Sequence, residues 1–244
     1  MLVKDLYNFL DTISPFSMQE RWDNSGLIVG SMDDEFNKVY ISLDLDLDLL
    51  KNIESSSLII THHPLIFDPI KTINYDNYST KILKILIEKD IKLISMHTNI
   101  DKSHLNRYVG SDILGFDIRC DKDFICYANV NMNFDELKQL VKDKLNLSFD
   151  KNVQCTSMIS KIALVTGSGM SLLPYIKADC FLTGDIKYHD AMEARARQIS
   201  LIDIGHYESE HYFTTLLMQI VKKYLLKNEI QAIMTNSQNP FNYK

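Results

Sequence analysis

The chain has 244 residues, of which 45% are apolar and 24% charged, enough for one large domain or two smaller ones with sizeable cores and too apolar for disorder. Its 26 Lys and Arg against 32 Asp and Glu leave a net charge of −6, a poor basis for general nucleic-acid binding, which needs clustered cations. Only 8 Gly and 5 Pro exclude collagen-like and linker-rich architectures.

In chain order, Leu2 to Ile13 interleaves charged and apolar residues as an amphipathic helix, without the uninterrupted apolar stretch of a signal peptide. No window reaches the ~20 apolar residues of a membrane-spanning helix. Lys38 to Leu43 predicts a strand, and Asp46 to Ser55 a short helix. Leu58 to Thr61 reads as a buried strand, Tyr78 to Lys89 as a helix with apolar spacing of three and four, and Ile91 to Met96 as a strand. Phe124 to Met132 follows as a strand, then a helix from Asn133 to Leu145, with Asn133 and Glu136 spaced as a capping box. The second half repeats the rhythm. Strands are expected at Lys161 to Val165, Cys180 to Thr183, Leu201 to Ile204 and Ile230 to Met234, with helices at Met170 to Lys177, Lys187 to Gln198 and Glu208 to Lys227. This alternation implies an α/β fold with largely parallel or mixed sheets.

Aligning Lys38 with Lys161 carries Leu49, Leu50 and Ile53 onto Leu172, Leu173 and Ile176. A second offset brings His97-x-x-x-Asp101 onto His206-x-x-x-Glu210, which suggests two similar halves, 1–115 and 116–244, with a soft boundary between 112 and 123. The four cysteines, Cys120, Cys126, Cys155 and Cys180, include no C-x-x-C pair, so free thiols in a reducing cytoplasm are expected.

The histidines are the informative residues. His62 and His63 end a buried strand that Pro64 stops, and at such a bend adjacent imidazoles can reach two ions lying side by side. His97 with Asp101, and His206 with Glu210, follow two further strands. In a parallel α/β sheet the carboxyl ends of the strands open on one crevice. His62, His63, Asp101, His206 and Glu210 are therefore candidate ligands of an imidazole–carboxylate metal cluster suited to zinc, manganese or iron. His104 and His211 read as ordinary surface or core residues.

The segments Trp22-Asp23-Asn24-Ser25-Gly26-Leu27, Thr61-His62-His63-Pro64-Leu65, His97-Thr98-Asn99-Ile100-Asp101, Thr183-Gly184-Asp185-Ile186-Lys187-Tyr188-His189 and Gly205-His206-Tyr207-x-x-Glu210 resemble the NIF-three-like dinuclear metal-centre family, whose bacterial members bear the name GTP cyclohydrolase 1 type 2. The resemblance implies paired α/β halves around a cleft. It also implies two divalent metal ions held by His62, His63, Asp101 and His206 with Glu210 bridging, a toroidal homohexamer, and, given the short stretch from Asp101 to Lys161, no large inserted domain. It places His97 and His189 beside the metals without making either a ligand.

The implied reaction converts GTP and water to dihydroneopterin triphosphate and formate, with water activated by the metal pair. His97 is the candidate general acid, with orientation of Asp101 as its alternative role. Two other readings stay open: a dinuclear-metal hydrolase of another nucleotide or phosphoester, and a non-enzymatic metal-binding or interaction protein. Thr166-Gly167-Ser168-Gly169 is either a tight turn or an anion-binding loop. The role of Trp22 to Gly26 is left open between orientation of a ligand by Asp23 or Asn24 and a simple turn at Gly26.

Overall fold

The computed structural model describes residues 1–120, 124–235 and 237–243. The strands are, in chain order, β1 (Gly26–Val29), β2 (Lys38–Ser42), β3 (Leu58–Thr61), β4 (Lys92–Ser95), β5 (Ile118–Cys120), β6 (Cys126–Asn133), β7 (Asn152–Val153), β8 (Met158–Leu164), β9 (Cys180–Thr183), β10 (Ser200–Asp203) and β11 (Gln231–Met234). They form two mixed sheets, in two units that are interleaved in sequence.

The first unit comprises Met1–Ile100 and Phe213–Gln238. Its sheet runs β1-β4-β3-β2-β11. β11, β2, β3 and β4 are parallel, and β1 is antiparallel on the β4 edge. Every residue of β3 and β4 is buried, as expected for parallel strands covered on both faces. Tyr40, Leu50, Ile59 and Leu93 pack there with Ile82 and Leu86 from the helix Tyr78–Glu88. The helix Val3–Ile13 buries Val3, Leu6 and Leu10, one stripe at helical spacing.

The second unit comprises Asp101–Tyr212 and Asn239–Lys244. Its sheet runs β5-β6-β8-β9-β10-β7, parallel through β8, β9 and β10 and antiparallel at both margins. Ala163, Phe181 and Leu201 from three adjacent strands form the centre of its core. The helix Phe134–Leu145 begins with the expected capping box: the Asn133 side chain accepts from Glu136 N at 2.9 Å, and the Glu136 carboxylate accepts from Asn133 N at 3.1 Å.

The α/β alternation is legible in the sequence, but several elements differ from it. The segment Met170 to Lys177 forms a 3₁₀ helix over Met170–Tyr175, because Pro174 supplies no N–H for a longer α-helix. The expected helix Glu208 to Lys227 starts earlier, as His206–Glu210 followed by Tyr212–Lys227. The short margin strands β1, β5 and β7 have too few residues for a periodicity signal. Both units are discontinuous, whereas repeat matching divides the chain linearly at 115/116, because β11 returns to pair with β2. Positions 121–123 of the expected boundary lie outside the described residues.

Cys120 and Cys126, expected as free thiols, are joined in a disulfide. They face one another across the antiparallel β5/β6 pair with Cα atoms 4.1 Å apart, a proximity created by register and invisible to a C-x-x-C search. Cys155 and Cys180 are free. Among the described residues, no helix is long and apolar enough to cross a membrane.

Candidate metal centre

In the first unit, β3 and β4 are parallel with Thr61 opposite Ser95, so the residues just beyond them emerge side by side. His62 and His63 follow β3, and both main-chain N–H groups donate to Leu43 O, at 3.1 and 3.2 Å, which turns the chain out of the strand. His97 follows β4 after Met96, whose N–H donates to Thr61 O at 2.9 Å. The ring centroids of His62, His63 and His97 lie 4.8, 5.1 and 5.4 Å apart. One nitrogen from each ring falls within 4.8 Å of the others, a grouping able to hold a metal ion.

Each of these rings is oriented through Nδ1. His62 Nδ1 donates to Met96 O at 2.9 Å, His63 Nδ1 to Asp44 Oδ1 at 2.7 Å, and His97 Nδ1 to Asp23 Oδ1 at 2.8 Å. A carbonyl or carboxylate oxygen can only accept, so in the neutral imidazole the proton sits on Nδ1 and the basic lone pair on Nε2. That outer shell of oxygen acceptors is the arrangement that fixes tautomer and orientation in metal-ligating histidines. The Asp23 side chain is fully buried. Burial acts to raise its pKa, but the His97 hydrogen bond and charge, with two Thr98 donors, outweigh that and hold the carboxyl well below the usual carboxylate range.

The second unit repeats the device. His206 and Glu210 sit four apart on the short helix His206–Glu210, on one face. His206 Nδ1 donates to Asp185 Oδ2 at 2.7 Å, and His206 Nε2 lies 2.9 Å from Glu210 Oε2. With the Nδ1 proton directed at Asp185, Nε2 and the Glu210 oxygen are two lone-pair donors in contact, which a shared proton or a cation reconciles. Glu210 is 3% exposed. It lies against Gly167, whose φ is +62° and where an added Cβ would meet Glu210 Oε1 at 1.9 Å. The Thr166 to Gly169 loop is thus a turn that makes room for this carboxylate. Its Gly167 and Gly169 N–H groups donate to Ser209 Oγ and Thr183 Oγ1, at 2.9 and 2.8 Å, and so do not face outward as an anion cradle.

Asp101 is buried and opens a π-helical turn, Asp101–Leu105, within the helical run 98–113. π-turns occur often at functional positions. His189 is exposed on the helix Tyr188–Ala196, its ring against Tyr188. His104 and His211 bond locally, to Ser103 Oγ and Tyr207 O, and burial depresses the pKa of both. Asp44 and Asp185 escaped sequence reasoning as orienting groups. The available signal was position: Asp44 lies just past the end of β2, and Asp185 just past the end of β9.

A family model described as Duf34/NIF3 (NGG1p interacting factor 3) matches residues 1–240. The chain is 48% identical over 244 residues to a Campylobacter jejuni protein named GTP cyclohydrolase 1 type 2 homolog, covering all of both chains. It is 45% identical over 241 residues to GTP cyclohydrolase 1 type 2 of Helicobacter pylori, covering 95% of this chain and 99% of that one. Among solved structures, Staphylococcus aureus protein SA1388 superposes with a TM-score of 0.86 at 28% identity, over 100% of this chain and 99% of that one. Reduced HcgD from Methanocaldococcus jannaschii gives 0.78 at 27% identity, over 96% and 97%. A match that spans both units and every motif carrying the histidines and their carboxylates means that the chain belongs to the Duf34/NIF3 family.

Proposed function

We propose that this protein is a metal-dependent hydrolase of the GTP cyclohydrolase type, converting GTP and water to dihydroneopterin triphosphate and formate. One observation carries the metal part of the reading: His62, His63, His97 and His206 are each held at Nδ1 by an oxygen acceptor, leaving Nε2 as the basic nitrogen. The donor set fits divalent cations of the zinc, manganese or iron class, being imidazole and carboxylate without thiolate. The residues that would hold the cations are His62, His63, Asp101, His206 and Glu210. The names of the Campylobacter and Helicobacter relatives support the reaction and the nucleotide substrate.

Cations bound by these ligands would supply Lewis acidity at C8 of guanine and bring a water pKa towards neutrality, as two-metal sites do. The chain's own residues do the rest. Asp44 and Asp185 hold the Nδ1 protons of His63 and His206, so both rings keep one tautomer and one orientation. His97, fixed by Asp23, has Nε2 as its remaining proton-transfer atom: Nε2 takes up a proton to form the imidazolium, which is the proposed donor to the ring nitrogen released as the imidazole opens. The same proton position serves the subsequent loss of formate. By family resemblance the working protein is a homohexamer.

The test is elemental analysis together with turnover. Protein loaded with manganese, zinc or iron should hold about two ions per chain and release formate and a fluorescent pterin from GTP. Glu210→Ala should lose both properties. Unchanged metal content in both His62→Ala and His206→Ala would overturn the centre, and no product with any of the three metals would overturn the reaction.

A further inference from the structure

The motif at Trp22 to Gly26 has a geometric role that the metal ligands do not account for. Trp22 is the sole tryptophan and is 56% exposed, and Phe67 beside it is 47% exposed. Their ring centroids are 5.7 Å apart with planes inclined at 50°, so they form an open corner and not a closed stack. Both rings meet His97 edge-to-face, Trp22 at 6.2 Å and Phe67 at 6.3 Å. Two large aromatic side chains left half in water beside an oriented imidazole forgo burial worth about 25 cal/mol per Å² of apolar surface.

The corner is held rigidly from behind. Asn24 Nδ2 donates to Ile66 O at 2.6 Å, tying the segment that carries Trp22 to the segment that carries Phe67. Buried Asp23 accepts from His97 Nδ1, from Thr98 N at 3.0 Å and from Ser25 Oγ at 3.0 Å. Gln19 clamps Ser25 through both main-chain groups, accepting from its N–H at 2.7 Å and donating to its carbonyl at 3.2 Å. Preorganisation of this kind removes the ordering cost that weakens binding by flexible aromatics.

We propose that Trp22 and Phe67 are a stacking platform for the purine base of the nucleotide substrate, setting its place relative to His97. The inference rests on the nucleotide reading above, and it adds the specificity-determining residues. A planar bicyclic base suits an exposed indole face with a second ring at its edge, since every nucleobase has a π-face and base–aromatic stacking needs no hydrogen-bond partner. The rest of the motif then acquires a purpose: Asp23 places His97, and Asn24 and Ser25 place the platform.

Because Trp22 is the sole tryptophan, its emission reports directly on the platform. Full-length protein kept metal-free with chelator is titrated with guanosine, GTP and base-free ribose 5-triphosphate. Saturable quenching by guanosine and GTP, absent with the base-free compound, is the expected result; equal quenching by all three overturns the proposal. Phe67→Ala, which keeps the reporter, should weaken guanosine binding about fivefold or more. Calorimetry on Trp22→Ala should show roughly a tenfold to hundredfold loss, largely restored in Trp22→Phe. Unchanged affinity in both alanine variants overturns the platform, as does a Trp22→Ala protein whose only change is a smaller assembly mass in light scattering, which would assign the surface to a second copy of the chain. Guanosine-dependent quenching without GTP turnover would leave the platform standing and sink the reaction. Turnover with an unaltered KM in Trp22→Ala would do the reverse.

Discussion

Gly167 shows how closely a single position can govern a site. Its φ of +62° already disfavours any L side chain, and the Glu210 carboxylate occupies the space a Cβ would need. Gly115 separates the two effects, since it has a φ of +83° with nothing within 4 Å of the place a Cβ would take. Gly115→Ala should therefore cost only the backbone strain, about 1 kcal/mol, read by urea denaturation. Gly167→Ala should cost more, about 2–3 kcal/mol, and should also lower bound metal because Glu210 must move. Equal costs with unchanged metal content would show that Glu210 is not held by this contact.

At the scale of the element, helix starts carry local information that survives into the fold. Asn133 and Glu136 satisfy one another's main-chain donors at the start of Phe134–Leu145, and Asp46 does the same for Leu47–Lys51 by accepting from Leu49 N at 2.6 Å. Asn133→Ala should destabilise the protein by about 1 kcal/mol, and adding Glu136→Ala should cost less than the sum of the singles because the two bonds form one box. Strictly additive losses in chemical denaturation would contradict that coupling. Strand ends, by contrast, act only through pairing. The Thr61–Ser95 register is what brings His62 and His63 beside His97, although 34 residues separate His63 from His97 in sequence.

For the molecule as a whole, the path of the C-terminus is decisive. β11 covers the open edge of β2, and beyond it Thr235 N and Oγ1 donate to Ile41 O at 2.8 and 3.0 Å. Ser237 Oγ then accepts from Asp44 N at 3.3 Å, next to the carboxylate that orients His63. Truncation after Glu229 would uncover β2 as a parallel, apolar edge, so the shortened chain should aggregate in light scattering and melt several degrees lower. A monodisperse truncation with an unchanged melting temperature would show that the edge needs no cover.

Much of this architecture could be read from residues in sequence. The buried runs Leu58 to Thr61 and Cys180 to Thr183, the apolar stripe of Tyr78–Glu88 and the Asn133 cap are short-range patterns, and short-range patterns survive in any sequence that forms these elements. The positions of His62, His63, His97 and His206 just beyond strands were legible for the same reason. What only the tertiary structure decided is which oxygen faces which nitrogen: Asp23 on His97, Asp44 on His63, Asp185 on His206, and, between sulfurs, Cys120 on Cys126. Periodicity describes a chain's neighbours along its length, whereas these partners are selected by strand order and register, which the hydrophobic pattern allows in more than one arrangement until the sheets have closed.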